Sequence, residues 1–324
     1  MIQKSFMRKA GFSSNIQKYL MLGVLLVITV VFTFLSPNFL TYINLNNVML
    51  QVSLIILTGS AVTLLLISGH FDLSIGSTLA FVGVMHAFMS KHWMPTNLSI
   101  VAAICIGGFI GLLNGLMVAK LRITPIIATL GTMYAARGMA YIVARIDGGA
   151  NISSGLPLDF QNFGRGMAGP VPYPVIMMII VVIVFCFIQS KTSLGRYAFT
   201  IGANKNTSYL SGVKVDRWII LLYILSGLLA GLCGVILVSR LGSGIPRIGL
   251  GFEFDVIIAV VLGGTLISGG KGSVIGMVIG AMIVGFAANG LNLLDVQSFY
   301  QTAIKGCILL GAILLERGLG KKLV

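Results

Sequence analysis

Residues 174–217, PVIMMIIVVIVFCFIQSKTSLGRYAFTIGANKNTSYLSGVKVDR, decide the fold, because an unbroken apolar run there gives way to a polar, basic, glycine-punctuated loop. The run at 174–190 approaches the roughly 20 residues a helix needs to cross a bilayer. The loop at 191–217 is the one long polar stretch on its side of an otherwise apolar chain. Of the 324 residues, 57% are hydrophobic and 9% are charged, whereas soluble domains carry about 25% charged residues. With a mean hydropathy of +1.01, the sequence is that of an all-α, polytopic helical membrane protein.

The same reading gives ten spans, at about 19–35, 48–67, 74–90, 98–119, 124–145, 174–190, 218–239, 254–268, 273–290 and 299–316. The basic residues test that count. With the N-terminus inside, fifteen lie in inner segments (Lys4, Arg8, Lys9, Lys18, Lys120, Arg122, Lys191, Arg196, Lys205, Lys214, Arg217, Lys271, Arg317, Lys321 and Lys322). Five lie in outer ones (Lys91, Arg145, Arg165, Arg240 and Arg247), an asymmetry that favours cytoplasmic termini and an even span number. The organisation is then a cytoplasmic tail at 1–18, one transmembrane domain at 19–316 with an inner loop at 191–217, and a cytoplasmic tail at 317–324. The N-terminal apolar run closes on LSPNF at 35–39 with no small-x-small cleavage pattern, which reads as an uncleaved signal-anchor. The formal charge of +14 lies between spans, so topology accounts for it and no nucleic acid is implied. Cys105, Cys186, Cys233 and Cys307 sit inside apolar spans without metal-ligand spacing, so no metal site or disulfide is expected, and nothing calls for a cofactor.

Two spans read as broken helices. LISGHFDLSIG at 66–76 and LISGGKGSVIG at 266–276 interrupt apolar runs with Ser and Gly. Irregular backbone survives at membrane depth only where protein or a water-filled cavity satisfies it, which places both beside a pathway. The shared LISG is too short to establish a duplication, and the span count gives both copies the same orientation. Glycines at 107, 108, 111 and 115, and at 272, 276, 280 and 285, read as close helix packing.

Charges in or near the membrane are costly, about 2.5–3.5 kcal/mol for an Asp at the bilayer centre. Asp72, in DLSIGS, suits a helix cap at the start of the third span, with a pathway role as the alternative. Arg137 and Lys305 lie inside the fifth and tenth spans, where they could line a polar pathway or pair with a carboxylate. Glu253 and Asp255 open the eighth, where negative charge favours a helix N-terminus and a gate or receptor contact is the further reading. His70 and His86 read as hydrogen-bonded packing residues.

The chain has no visible engine. GGKGS at 269–273 puts Gly272 where a P-loop needs Ser or Thr, and neither a nucleophile elbow nor an HExxH zinc site occurs. The chain therefore reads as a non-enzyme that needs an outside source of energy. In the inner loop, 204–210 suits a short helix with Asn204 as N-cap and Ser211-Gly212 as its end. Gly195 and Arg196 belong to the stretch that anchors its preceding end, and Gly202 and Gly212 would set the turns around a docking helix.

Taken together, SGHFDLSIGS at 68–77, TPIIATLGT at 124–132, LGRYAFTIGANKNTSYLSGVKV at 194–215, GFEFDVIIAVVLGGTLISGGKGSVIG at 251–276 and NGLNLL at 289–294 make the chain resemble the permease subunit of bacterial ATP-binding-cassette importers for monosaccharides, the ribose/xylose/galactose type. The resemblance runs from about residue 20 to the last span. It implies a second permease copy, a cytoplasmic ATPase subunit coupled through the segment that holds Gly195, Arg196, Gly202, Asn204, Ser211 and Gly212, a periplasmic sugar-binding protein, a monosaccharide substrate and residence in the inner membrane. His70, Asn206, Thr207 and Ser208 depart from the residues usual at those places. A branched-chain amino-acid permease and a self-powered secondary carrier are the alternative readings.

Overall fold

The computed structural model describes residues 2–152 and 156–320. Lys321, Lys322 and the rest of the expected tail beyond residue 320 lie outside the described residues. In chain order the elements are α1 (Ile2–Leu35), α2 (Tyr42–Ile67), α3 (Ile75–His92), α4 (Thr96–Ala119), α5 (Pro125–Ile146), α6 (Leu158–Arg165), β1 (Met167–Ala168), β2 (Val171–Pro172) and α7 (Tyr173–Lys191). They continue as α8 (Ser193–Ala203), α9 (Lys205–Leu210), α10 (Val215–Leu241), α11 (Phe252–Leu262), α12 (Val274–Leu293) and α13 (Ser298–Gly320). Each apolar segment read from the sequence holds a helix. Among the described residues, six helices (α2, α4, α5, α7, α10 and α12) are long and apolar enough to cross a membrane by length and composition. The molecule is an all-α membrane protein whose only paired strands among the described residues are the two-residue hairpin β1–β2.

The helix expected at 254–268 is shorter than the sequence implied. Eleven residues of α11 rise about 16 Å, roughly half the ~30 Å hydrocarbon thickness. It stops at Leu262 because Gly263 and Gly264 follow, the latter at φ +83°, and Gly269 and Gly270 hold φ +86° and +77°. The helix at 48–67 is longer than expected, since Thr41 caps it by accepting the Asn44 amide at 3.4 Å.

The centre of the bundle is α2, buried at every position from Val52 to Ile67. Around it, α10 lies against α2, α3, α4 and α6. Glycine sets the closest of these approaches. A Cβ on Gly107 would strike the Gly227 carbonyl, and one on Gly111 would strike the Tyr223 carbonyl. In a membrane such contacts replace the hydrophobic effect as the source of helix association. By contrast most residues of α5 and α7 are not buried within the chain, whereas most of α2 is, so α5 and α7 sit at the rim.

At the α6 end of the bundle, Asp147 closes α5 and accepts from Lys91 Nζ at 2.9 Å and pairs with His92 Nε2 at 2.7 Å. Burial pushes this carboxyl up, but the hydrogen bonds from His92 and Lys91 and the charge on Lys91 outweigh it and hold it below the usual carboxylate range.

The Gly111 contact yields a direct test. Gly111→Val should lower the thermal midpoint of the purified protein, since forced overpacking costs about 1–3 kcal/mol and the obstacle is backbone. Gly131→Ala, which meets nothing within 4 Å, should leave the midpoint unchanged or raise it slightly. Thermal aggregation assays in detergent compare the two.

Candidate functional site

The chain leaves α2 at Ser68 and re-enters a helix at Ile75, and the residues between form the first break. Asp72 is its buried anchor. One carboxylate oxygen accepts the Ser74 amide at 3.0 Å and the Ser74 hydroxyl at 2.6 Å, and the other accepts the Ser226 hydroxyl from α10 at 2.7 Å. Tyr223, one helical turn before Ser226, donates its hydroxyl to the Phe71 carbonyl at 2.7 Å. Asn114 of α4 donates to the Ser74 hydroxyl oxygen at 2.9 Å, and Thr132 of α5 donates to the Asn114 carbonyl oxygen at 2.7 Å. Three hydroxyls, an amide side chain and a backbone amide thus form one network ending on Asp72, joining α4, α5 and α10 to the break. Ser74 itself is the residue at the N-cap position of α3 and makes no side-chain cap bond, so Asp72 holds the capping residue and not the helix amides beyond it.

A second polar group lies on α3, α5 and α11. Arg137 donates through Nη1 to the carbonyls of Pro246 and Ile248, at 2.5 and 2.6 Å, and through Nε to Ser77 at 3.2 Å. It therefore pins the segment that leads from α10 down to α11. Glu253 is buried in the first turn of α11, where a Cβ added to Gly76 of α3 would collide with its carboxylate. Asp255, in the same turn, pairs with Lys305 of α13 at 2.7 Å. The structure thus brings Arg137, Ser77 and Glu253 into one neighbourhood at the start of α3, and gives Lys305 the carboxylate partner that the sequence left unnamed. His70 and His86 are buried against the hydroxyls of Ser68 and Ser99, at 3.0 and 2.9 Å.

The third group is the loop between α7 and α10. Thr192 caps α8 by accepting the Gly195 amide at 3.5 Å. Gly195 lies so close to the end of α7 that an added Cβ would sit 2.5 Å from the Ile188 carbonyl. Arg196 is exposed and reaches the Lys191 carbonyl at 3.4 Å. Asn204 caps α9 by accepting the Thr207 amide at 3.0 Å, as its residue type favours. Ser211 closes α9, and Gly212 follows at φ +77°. The Gly212 amide donates to the Tyr209 carbonyl and the Val213 amide to the Ser208 carbonyl, at 3.0 and 3.1 Å, the paired bonds of a Schellman ending. Gly202 sets no turn: it lies inside α8, where its missing Cβ admits the backbones of Ile67 and Gly270.

On α9 only Ser208 is buried. Leu210 is 90% exposed, and Tyr209 beside it is 44% exposed. The Tyr209 hydroxyl donates to Asp216, which also pairs with Lys120 at 3.3 Å, fixing α9 to the starts of α10 and of the α4–α5 turn. Burial, with the Asp216 bond and charge, pushes the tyrosine up to about 12.

Sequence reasoning missed α8 as a helix, the Ser74–Asn114–Thr132 relay and Ser226. Isolated Asn and Ser residues in apolar runs were the signal for the last two. No cluster of three or more His, Cys, Asp or Glu residues able to hold a metal ion occurs among the described residues.

A family described as branched-chain amino acid transport system / permease component matches residues 44–313. The ribose import permease protein RbsC of Escherichia coli (strain K12) is 40% identical, with 90% of this chain and 91% of that protein covered. RbsC of Bacillus subtilis (strain 168) is 38% identical, with 90% of each chain covered. The D-allose transport system permease protein AlsC of Escherichia coli (strain K12) is 35% identical, with 94% and 93% covered. No solved structure matches the chain.

Asp72 invites a paired substitution. Asp72→Asn keeps an acceptor for Ser74, and Ser226 can turn to accept from the new amide, so this variant should insert and retain much of its transport. Asp72→Leu strands a buried amide and two hydroxyls at about 1–3 kcal/mol each and should be depleted from membranes. Immunoblots of membrane fractions alongside transport assays read both, and an Asn variant that is well inserted yet inactive would assign Asp72 a charge-dependent role.

Proposed function

Because the chain belongs to the family of branched-chain amino acid transport system permease components, we propose that it is the membrane-spanning permease subunit of an ATP-binding-cassette importer for a monosaccharide, a ribose-like pentose or a hexose. The observation that carries this reading is the end-to-end similarity to ribose and allose permeases, which favours a sugar over the amino acids in the family's description. The protein resides in the bacterial inner membrane and does no covalent chemistry.

In this reading α1–α5, α7, α10, α12 and α13 each make a span, the short α11 makes the tenth together with the non-helical stretch that follows it to residue 268, both termini are cytoplasmic, the tails are 1–18 and 317–324, and one transmembrane domain fills 19–316. The fifteen-to-five division of basic residues supports it. A separate ATPase subunit receives α9, whose exposed Leu210 and Tyr209 are an apolar foothold on an otherwise polar loop, with Gly195, Arg196, Gly202, Asn204, Ser211 and Gly212 shaping it. A periplasmic sugar-binding protein delivers substrate to the opposite face. A second permease copy completes the pathway. What supports the pairing is the rim helix α5, which exposes Tyr134, Tyr141 and Gly138. Asp72, Arg137, Glu253, Asp255 and Lys305 line or gate the pathway, and alternating access moves the sugar through.

Two measurements test this reading. Leu210→Asp should leave insertion intact while lowering transport and the co-purification of the ATPase subunit at least several-fold; unchanged co-purification would place the motor elsewhere. Because the polar side chains gathered around Asp72 and Arg137 already pair with one another and with backbone carbonyls, the receptor-free permease–ATPase complex should bind its sugar only weakly. Calorimetry should return a Kd near or above about 1 mM, equivalent to about −4 kcal/mol. Tight, selective binding there would make the polar groups around Asp72 and Arg137 a true sugar site.

A further inference from the structure

The tetrapeptide LISG occurs at 66–69 and again at 266–269, and the two copies meet in space. In each, the glycine holds a positive φ, +78° at Gly69 and +86° at Gly269. In each, its amide turns back on the leucine carbonyl, Gly69 to Leu66 at 2.8 Å and Gly269 to Leu266 at 3.0 Å. A Cβ added to Gly269 would lie 3.0 Å from the Gly69 nitrogen and 3.1 Å from the Gly69 Cα. The Gly270 amide donates to the carbonyl of Ile67, the last residue of α2, at 2.8 Å. The break after α2 and the break after α11 are therefore joined by one backbone hydrogen bond and a glycine-to-glycine contact.

Gly202 of α8 closes this junction. A Cβ there would overlap the Ile67 carbonyl and lie 2.6 Å from the Gly270 nitrogen, the two atoms of the joining hydrogen bond. Three backbones thus touch with no side chain between them. Gly202 stands two residues before Asn204, the cap of α9, and Asp72 stands three residues after Gly69. Gln189 of α7 braces the same place, donating to the Gly272 carbonyl at 3.0 Å and accepting the Val274 amide at 3.1 Å. One feature of the junction is unsatisfied. The Thr265 hydroxyl is buried without a hydrogen-bond partner among the described residues, beside Gly272, although buried polar groups are nearly always paired.

We propose that the two LISG turns form a latch, closed in this conformation, which movement of α9 opens through Gly202. Opening parts the α2 break from the α11 break and gives Thr265 the partner it lacks here. Close-packed backbones pass a displacement on without the slack of side-chain rotamers, and such junctions switch between discrete arrangements instead of deforming continuously. Gly202 is a positioning residue for transport and touches no substrate. The proposal rests on the reading of α9 as the ATPase contact.

Amide hydrogen exchange on the full permease–ATPase complex in lipid nanodiscs, nucleotide-free and vanadate-trapped, tests it without any substitution. Exchange at 66–70 and at 266–272 should change together, by the roughly 5- to 150-fold typical of coupled sites. If exchange at 204–211 responds to the ATPase subunit while both LISG segments stay fixed between states, the latch is wrong and the coupling site stands. If 204–211 is indifferent to the ATPase subunit, the coupling reading fails and takes the latch with it. Gly202→Ala should lose transport and the linked exchange of the two segments; full transport in that variant would overturn the proposal. Should Gly202→Ala fail to accumulate, the exchange of the unsubstituted complex decides alone.

Discussion

Every backbone amide and carbonyl freed inside a bilayer must find a partner within the protein, because hydrocarbon offers none. This chain breaks its helices after α2 and after α11, and the remainder of the fold follows from how those breaks are satisfied. After α2, the Ser68, Gly69 and His70 amides turn back on carbonyls of the last helical turn, and Asp72 collects the Ser74 amide and two hydroxyls. After α11, the Thr265 amide turns back on Val260 of the helix and the Gly269 amide on Leu266 of the loop, while Gly270 reaches across to Ile67. α2 is the most buried helix because its broken end needs neighbours on all sides, and α10 earns its central position by supplying Tyr223 and Ser226 to that end.

Glycine is the second half of the same solution. Where the freed backbone of one segment must reach the backbone of another, a side chain would hold them apart. Gly202, Gly269 and Gly270 occupy such positions at the breaks, and Gly107, Gly111 and Gly227 let α4 and α10 approach until backbone meets backbone. These glycines differ in kind from Gly212, which meets nothing within 4 Å and is required only for its left-handed φ of +77°. Substitution at the first kind collides with neighbouring elements, whereas substitution at the second disturbs one turn.

Much of this was legible in the sequence, and the legible part has a physical reason. Helix existence depends on apolar runs and local caps, so the apolar helices, the short helix capped by Asn204 and the interruptions at 66–76 and 266–276 could all be read from neighbouring residues. What depended on partners distant in sequence could not. Gly202 was read as a turn residue because a glycine near a short helix usually is one, and only the meeting of α8 with both breaks reveals that it is a point of contact. Lys305 and Asp255 are fifty positions apart, and nothing local names one as the partner of the other. The carboxylate at Asp72 announced itself by its cost, yet the direction of its network, through Asn114 to Thr132, needs three helices to be placed at once.

The same arrangement would let a chain that is rigid in its core change shape. Interactions at the breaks are few, short-ranged and mostly backbone to backbone, so they can be exchanged one for another without repacking the apolar interior. The side-chain networks, in contrast, tie each break to a different set of helices: Asp72 to α4, α5 and α10, and Gln189 with the α12 start to α7. A shift at the junction of the two LISG turns would therefore move two separate helix groups relative to each other while leaving each internally intact. That is the mechanical requirement of the alternating pathway proposed above, and the polar loop and the breaks after α2 and α11 come within backbone contact at this junction.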